Sequence, residues 1–210
     1  MVERQLRRRG ISDQRVLEAM ATVPRELFVP EAIRERAYDD AALPIGSGQS
    51  ISQPWIVAAI CASLGLRGHE TVLEIGGGSG YTGAVLARLA ARVISIELVP
   101  ALAKAARSAL ALAGCGPERV EVMVADGSVG WPRQAPYEAI AVHAATPGPP
   151  GSLLGQLAAG GRLVAPVVSG RHEILTLFHA DRSRPDGYVS QPMASCRFVP
   201  LLGAEGFGAD

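Results

Sequence analysis

Two acids and three glycines at fixed spacing carry the chemistry of this chain: Glu74, then Gly76, Gly78 and Gly80, then Glu97, all within TVLEIGGGSGYTGAVLARLAARVISIE (71–97). A short apolar run, a glycine-rich turn, an apolar-periodic segment and a second apolar run ending in an acid predict a strand, a tight bend, a helix and a parallel strand. Glycines at such a bend let the backbone approach a ligand closely. In doubly wound α/β sheets the ligand lies beyond the carboxyl ends of the strands, so these residues are expected to converge on one crevice that binds a nucleoside-containing cofactor.

Gly78, Gly80 and Gly83 also satisfy G-x-G-x-x-G, with Glu97 near the spacing of an acid that holds an NAD ribose. That fingerprint needs its first glycine directly after the strand, where the turn aims a helix N-terminus at a pyrophosphate. The glycine in that place is Gly76, and counting from it puts Tyr81 where the third glycine belongs. An acid just before the turn repels a pyrophosphate and attracts a ligand carrying an ammonium and a sulfonium. The frame Gly76-x-Gly78-x-Gly80 after Glu74 resembles the first motif of S-adenosylmethionine-dependent methyltransferases. A mere packing turn would need the glycines too, but would leave Glu74 and Glu97 without a role.

The surrounding elements must position that crevice. The first seventy residues look helical: Ser12 or Asp13 can cap a helix carrying Val16, Leu17 and Met20 that stops at Pro24, residues 31–36 make a short helix, and Pro54 opens another with Ile56, Val57, Ile60 and Leu64 on its apolar face. Strands are expected near 71–75, 92–96, 119–124, 137–142 and 161–166, separated by helices such as 100–113 and 151–157. Two late runs, 173–179 and 194–199, flank the turn-rich SRPDGY and should pair as a hairpin. The expected fold is α/β, a doubly wound, mostly parallel seven-stranded sheet. Residues 1–210 read as a single domain with a helical extension and substrate loop (1–70), a cofactor-binding core (71–170) and a C-terminal hairpin (171–210).

At 210 residues and 48% hydrophobic the chain can bury a full α/β core without staples. Twenty basic and twenty acidic residues cancel, which gives no nucleic-acid footprint. The one dense basic stretch, Arg4, Arg7, Arg8 and Arg9, reads as a solvated helix face. Cys61, Cys115 and Cys196 are odd in number and far apart, so neither a disulfide framework nor a metal site is expected. MVERQLRRRG lacks an apolar leader and no apolar run reaches membrane-spanning length. A cytoplasmic monomer with no membrane and no nucleic-acid partner is the expectation.

Three segments move the argument from cofactor to reaction: GSGQSISQPW (46–55), ADGSVGWP (125–132) and APYEAIAVHAATPGPP (135–150). With VERQLRRRGI, LFVPE, AYDDAALPIG, GGRLVAPV and RFVPLLG, they make essentially the whole chain resemble the protein-L-isoaspartate O-methyltransferase family, and the loop GSGQSISQP is the most specific of these motifs. The resemblance implies S-adenosyl-L-methionine as cofactor and isoaspartyl-containing proteins or peptides as substrate. It implies that Gly76, Gly78 and Gly80 approach the methionine part of the cofactor, that Glu97, an exposed acceptor at its strand end, holds both ribose hydroxyls, and that Asp126 and Gly127 meet the adenine edge. It makes Ser52 the catalytic-site serine, with Ser50, Ile51 and Gln53 lining the cleft.

Plainer readings stand beside these. Ser50 or Ser52 could cap the helix opened by Pro54, and Asp126-Gly127 is a common turn pair. His143 reads as a partly buried, hydrogen-bonded histidine, and Tyr81 and Trp55 as packing residues that also wall the pocket. Against the family pattern, Ser50 stands for Thr, Trp55 for Tyr or His, Gly77 for Thr or Ser, Ala125 for Gly, Glu138 for Asp and Glu173, expected close to the cofactor cleft, for Gln. These departures leave open a relative that methylates aspartate in a dedicated peptide. A binding-only Rossmann module is the alternative from another class.

Overall fold

In the computed structural model, which describes residues 1–208, the N-terminal seventy residues are helical except at one place. Asp13 is the cap of helix α1 (Gln14–Thr22): its Oδ1 accepts from the amides of Arg15 at 2.9 Å and Val16 at 3.2 Å. The helix lays Val16, Leu17 and Met20 on the core. The exception is the polar loop, where β1 (Leu43–Gly46) pairs antiparallel with β2 (Gln49–Ile51) across a turn whose Gly46, Ser47 and Gly48 all have positive φ. Strands of four and three residues are too short to show an alternating pattern, which is why the hairpin is not visible in the periodicity. Pro54 then opens α2 (Pro54–Leu64), which buries Val57, Ile60, Cys61 and Leu64.

The predicted parallel core follows: β3 (Thr71–Ile75), α3 (Tyr81–Leu89), β4 (Arg92–Glu97), α4 (Pro100–Leu112), β5 (Val120–Val124), β6 (Tyr137–Val142), the short α5 (Gly151–Gly155) and β7 (Leu157–Ser169). The sheet is completed by β8 (His172–Ala180) and β9 (Tyr188–Cys196), in the order β5-β4-β3-β6-β7-β8-β9. The first five pair in parallel and the last two antiparallel. This is the expected doubly wound, mostly parallel seven-stranded sheet. Strand order reverses beside β3, between the β4 and β6 sides, and a crevice at such a switch point is where ligands bind in this architecture.

The largest departures from the expected boundaries fall at α5, β7 and β9. Helix α5 ends at Gly155 because Leu157 already starts β7, which runs thirteen residues between β6 on one side and β8 on the other. The last strand lies earlier than 194–199: the turn closes at Asp181–Gly187 through an Asp181 amide to Gly187 carbonyl bond of 2.8 Å. Residues 197–200 leave the sheet because the Glu173 carboxylate takes the Phe198 amide at 2.6 Å and Val199 to Leu201 bond to Ala145 instead.

Candidate active site

Three glycines of the turn are forced by backbone geometry: φ is +79° at Gly76, +54° at Gly78 and +87° at Gly80, a region L side chains avoid. The amides of Gly76 and Gly77 bond to the Ile96 carbonyl at 2.9 and 3.2 Å, which ties the turn to the neighbouring strand. A side chain at Gly77 would collide with the Ser95 hydroxyl, so the departure at 77 is complementary to Ser95.

Glu97 is not the exposed strand-end acceptor expected from sequence, because its side chain folds back under the turn and is only 6% exposed. Its Oε2 accepts the Gly78 amide at 2.7 Å and its Oε1 the Val99 amide at 2.8 Å. Each oxygen keeps a further lone pair, and the residue still lines the cleft. Glu74 is fully buried beneath the turn and is not among the residues lining the cleft above it; its Oε2 accepts from Ser95 Oγ at 2.5 Å and its Oε1 lies 3.3 Å from His143 Nε2. The expectation of a hydrogen-bonded His143 is not met: the Glu74 contact is at ion-pair distance but lacks hydrogen-bond geometry, and neither ring nitrogen nor Glu74 Oε1 has a hydrogen-bond partner. Strand register explains the encounter, since Glu74 pairs with Ala141 and His143 is two residues further along the same face.

A cleft opens over the turn, lined by Gly76, Gly77 and Gly78, Glu97, Gly127, Ile51 and Ser52 among others. Among the described residues Glu97 and His143 are its only ionisable side chains, with no lysine or arginine in the lining. A second cavity holds Asp40, Gln53, Ile56 and Arg197, and the two share Ser50, Ser52, His143 and Val199. Among the described residues no side chain caps α2, so neither Ser50 nor Ser52 serves as its cap. Gln53 Nε2 donates to Asp40 Oδ1 at 2.8 Å and to its carbonyl at 3.1 Å, fixing the second cavity's rim.

Asp126 stands apart from its neighbour. Gly127 lines the cleft, whereas the Asp126 carboxylate is taken by the Ser128 amide (2.8 Å), the Ser128 hydroxyl (2.7 Å) and the Ala204 amide (2.8 Å). That is turn chemistry with a long-range tether, and the three donors outweigh burial to hold the carboxyl below the usual aspartate range. The tether matters because Val199 to Leu202 form one wall of the cleft, and nothing in the sequence marked them beyond the motif RFVPLLG. Gln49 and Ser79 are further lining residues not picked out in advance, and His143, read from sequence as a partly buried structural histidine, also lines the cleft.

Tyr81 and Trp55 do not wall the pocket. Tyr81 is fully buried with Phe28 edge-on at 5.6 Å, and Trp55 donates its indole N–H to the Arg9 carbonyl at 3.2 Å under the Arg9 guanidinium. Arg4, Arg7, Arg8 and Arg9 are all exposed, as expected of a solvated face, and Arg9 also pairs with Asp40 at 3.2 Å across the surface. Glu138 and Glu173 lie outside both cavities, holding the amides of Thr71 (2.9 Å) and Phe198 (2.6 Å).

Sheet order and the acid-flanked glycine turn at the switch point together define the Rossmann-like methyltransferase fold. A sequence model of the family described as protein-L-isoaspartate(D-aspartate) O-methyltransferase matches residues 1–206, and the chain belongs to that family. It is 53% identical to a protein-L-isoaspartate O-methyltransferase 1 of Syntrophobacter fumaroxidans, covering 99% of this chain and 94% of the relative. The corresponding protein of Rhodopseudomonas palustris (strain HaA2) is 51% identical over 100% of this chain and 84% of its own length. A solved protein-L-isoaspartate O-methyltransferase superposes with a TM-score of 0.84 at 28% identity, covering 98% of this chain and 67% of that one. A Plasmodium falciparum structure assigned to the same family, in complex with S-adenosyl-L-homocysteine, shares the fold with a TM-score of 0.79 at 22% identity, covering 96% of each chain.

Proposed function

We propose that this protein transfers the methyl group of S-adenosylmethionine to the free carboxylate of L-isoaspartyl residues in proteins and peptides. The observation that carries the reading is the wall shared by the two cavities, where Ser52 faces both the glycine-turn cleft and the second cavity. The residues fit the cofactor: glycines that admit close approach, Glu97 with lone pairs left for ribose hydroxyls, Gly127 in the lining, and no basic side chain to favour a pyrophosphate. When bound, the cofactor supplies a methyl group on a positively charged sulfur.

What remains for the chain is placement. A carboxylate is already ionised near neutral pH, so no general base is required. Ser52 donates a hydrogen bond that orients it, while Ser50, Ile51 and Gln53 shape the approach. Placement in a closed site can lower a barrier by up to about 7–11 kcal/mol. The methyl ester leaves the enzyme, and a backbone amide nitrogen of the substrate attacks the ester carbonyl, expelling methanol to close a succinimide whose hydrolysis returns part of the damaged residue to aspartate. The protein acts as a monomer on damaged protein chains, without nucleic acid. Family membership and the relatives' names support the reading. Methyl transfer from labelled cofactor to paired peptides differing only in aspartate or isoaspartate tests it: turnover of the isoaspartyl peptide alone is expected, and preference for ordinary aspartate would overturn it in favour of a dedicated peptide substrate.

A further inference from the structure

Arg25 is the one basic side chain fully buried among the described residues, and no carboxylate lies within ion-pair distance of it there. Burying a charge without a counter-ion is costly unless its donors are satisfied. Two of them are: Nε donates to the Ala37 carbonyl and Nη2 to the Ser52 carbonyl, each at 2.7 Å. The guanidinium lies 4.7 Å from the centroid of the Tyr81 ring, and Nη1 has no protein partner. Tyr81 is the first residue of α3, directly after Gly80. Arg25 therefore touches both halves of the site, the substrate loop through the main chain of Ser52 and the cofactor turn through the helix that begins at its end.

We propose that Arg25 is a positioning residue for methyl transfer, which fixes the main chain at Ser52 relative to the glycine turn so that the hydroxyl meets the substrate carboxylate at the cleft. The planar fork suits this role, since two carbonyls and an aromatic face are met at once, and a lysine ammonium, a compact point charge, lacks that fixed geometry. The inference rests on the role given to Ser52 above. It does not require Arg25 to touch substrate or cofactor.

The test uses the full-length chain with Arg25→Met and Arg25→Lys. Arg25→Met keeps length and apolar volume and leaves no charge unpaired, so it should fold and bind S-adenosylhomocysteine with near wild-type affinity. Its kcat for an isoaspartyl peptide should fall by about tenfold or more, with a smaller change in KM, because the lost contact acts on placement in the transition state. Amide exchange over residues 49–53 should speed up in the same variant, and Arg25→Lys should be intermediate in both readouts. A merely structural role predicts a lower melting temperature with wild-type kcat per folded molecule, and that result overturns the proposal, as does unchanged exchange at 49–53. If Arg25→Met does not fold, Arg25→Lys decides alone, and wild-type kcat and exchange in it overturn the proposal. Absence of isoaspartyl turnover in the wild type, with exchange still accelerated in Arg25→Met, would instead overturn the substrate reading and with it the role in methyl transfer, while the anchoring of residues 49–53 by Arg25 would stand.

Discussion

Glu97 shows how one carboxylate can serve fold and ligand together. Its two oxygens take the amides of Gly78 and Val99, so the acid that faces the cleft also clamps the turn. Glu97→Ala is therefore expected to weaken S-adenosylhomocysteine binding by about 1.5–3 kcal/mol, as for hydrogen bonds to a charged group. It should also lower the melting temperature, because two amides lose their acceptor. Calorimetric titration beside thermal melts checks both effects, and wild-type affinity would remove Glu97 from the site. Ser52 separates the two roles. Its hydroxyl caps nothing in α2, so Ser52→Ala should melt like the wild type and bind cofactor normally while kcat drops on the order of a hundredfold. A destabilised but fully active Ser52→Ala protein would refute the catalytic assignment.

Among the elements, the glycine turn and its flanking strands were legible from sequence because the pattern that announces them, apolar periodicity and obligatory glycines, lies within 71–97 even though β6 and β5 complete their pairing. The cleft's other wall was not. It is built by residues 199–202, whose path depends on Glu173 reaching Phe198 and Asp126 reaching Ala204, contacts 25 and 78 positions apart. No local pattern encodes such pairings. The same holds for Glu74 and His143, which register alone brings together. The Asp126 tether has a pH signature. Burial raises its carboxyl pKa, but the Ala204 amide and the Ser128 donors outweigh burial and hold the folded value below that of the unfolded chain. A depressed folded pKa adds stability that is fully present above the unfolded aspartate value, about 3.9, and lost as pH falls through the folded value. The melting-temperature advantage of the wild type over Asp126→Asn should thus be constant from pH 7 to about 5 and shrink below about 4. A gap that stays constant in acid would show that the tether does not depend on the charge.

At the scale of the whole molecule, charge is balanced and its local distribution does the selecting. Twenty acids and twenty bases cancel over the chain. Around the cleft they do not, for two buried carboxylates, Glu74 and Glu97, sit under and beside the turn with no lysine or arginine in the lining. Opposite charges attract and like charges repel most strongly where water is excluded, so this field favours a ligand bearing an ammonium and a sulfonium over one bearing a pyrophosphate. The glycine spacing alone does not decide the matter, since Gly78, Gly80 and Gly83 would satisfy a dinucleotide fingerprint as well. Thermal stability with each ligand separates the two. S-adenosylmethionine or S-adenosylhomocysteine at a hundred times its dissociation constant should add about 2.7 kcal/mol to stability. With each 1 kcal/mol worth roughly 2–4 °C in a chain of this size, the melting temperature should rise by about 5–11 °C. NAD at the same concentration should leave it unchanged. A comparable rise with NAD would mean that the turn is reading a pyrophosphate after all, and the electrostatic argument from Glu74 and Glu97 would fall with it.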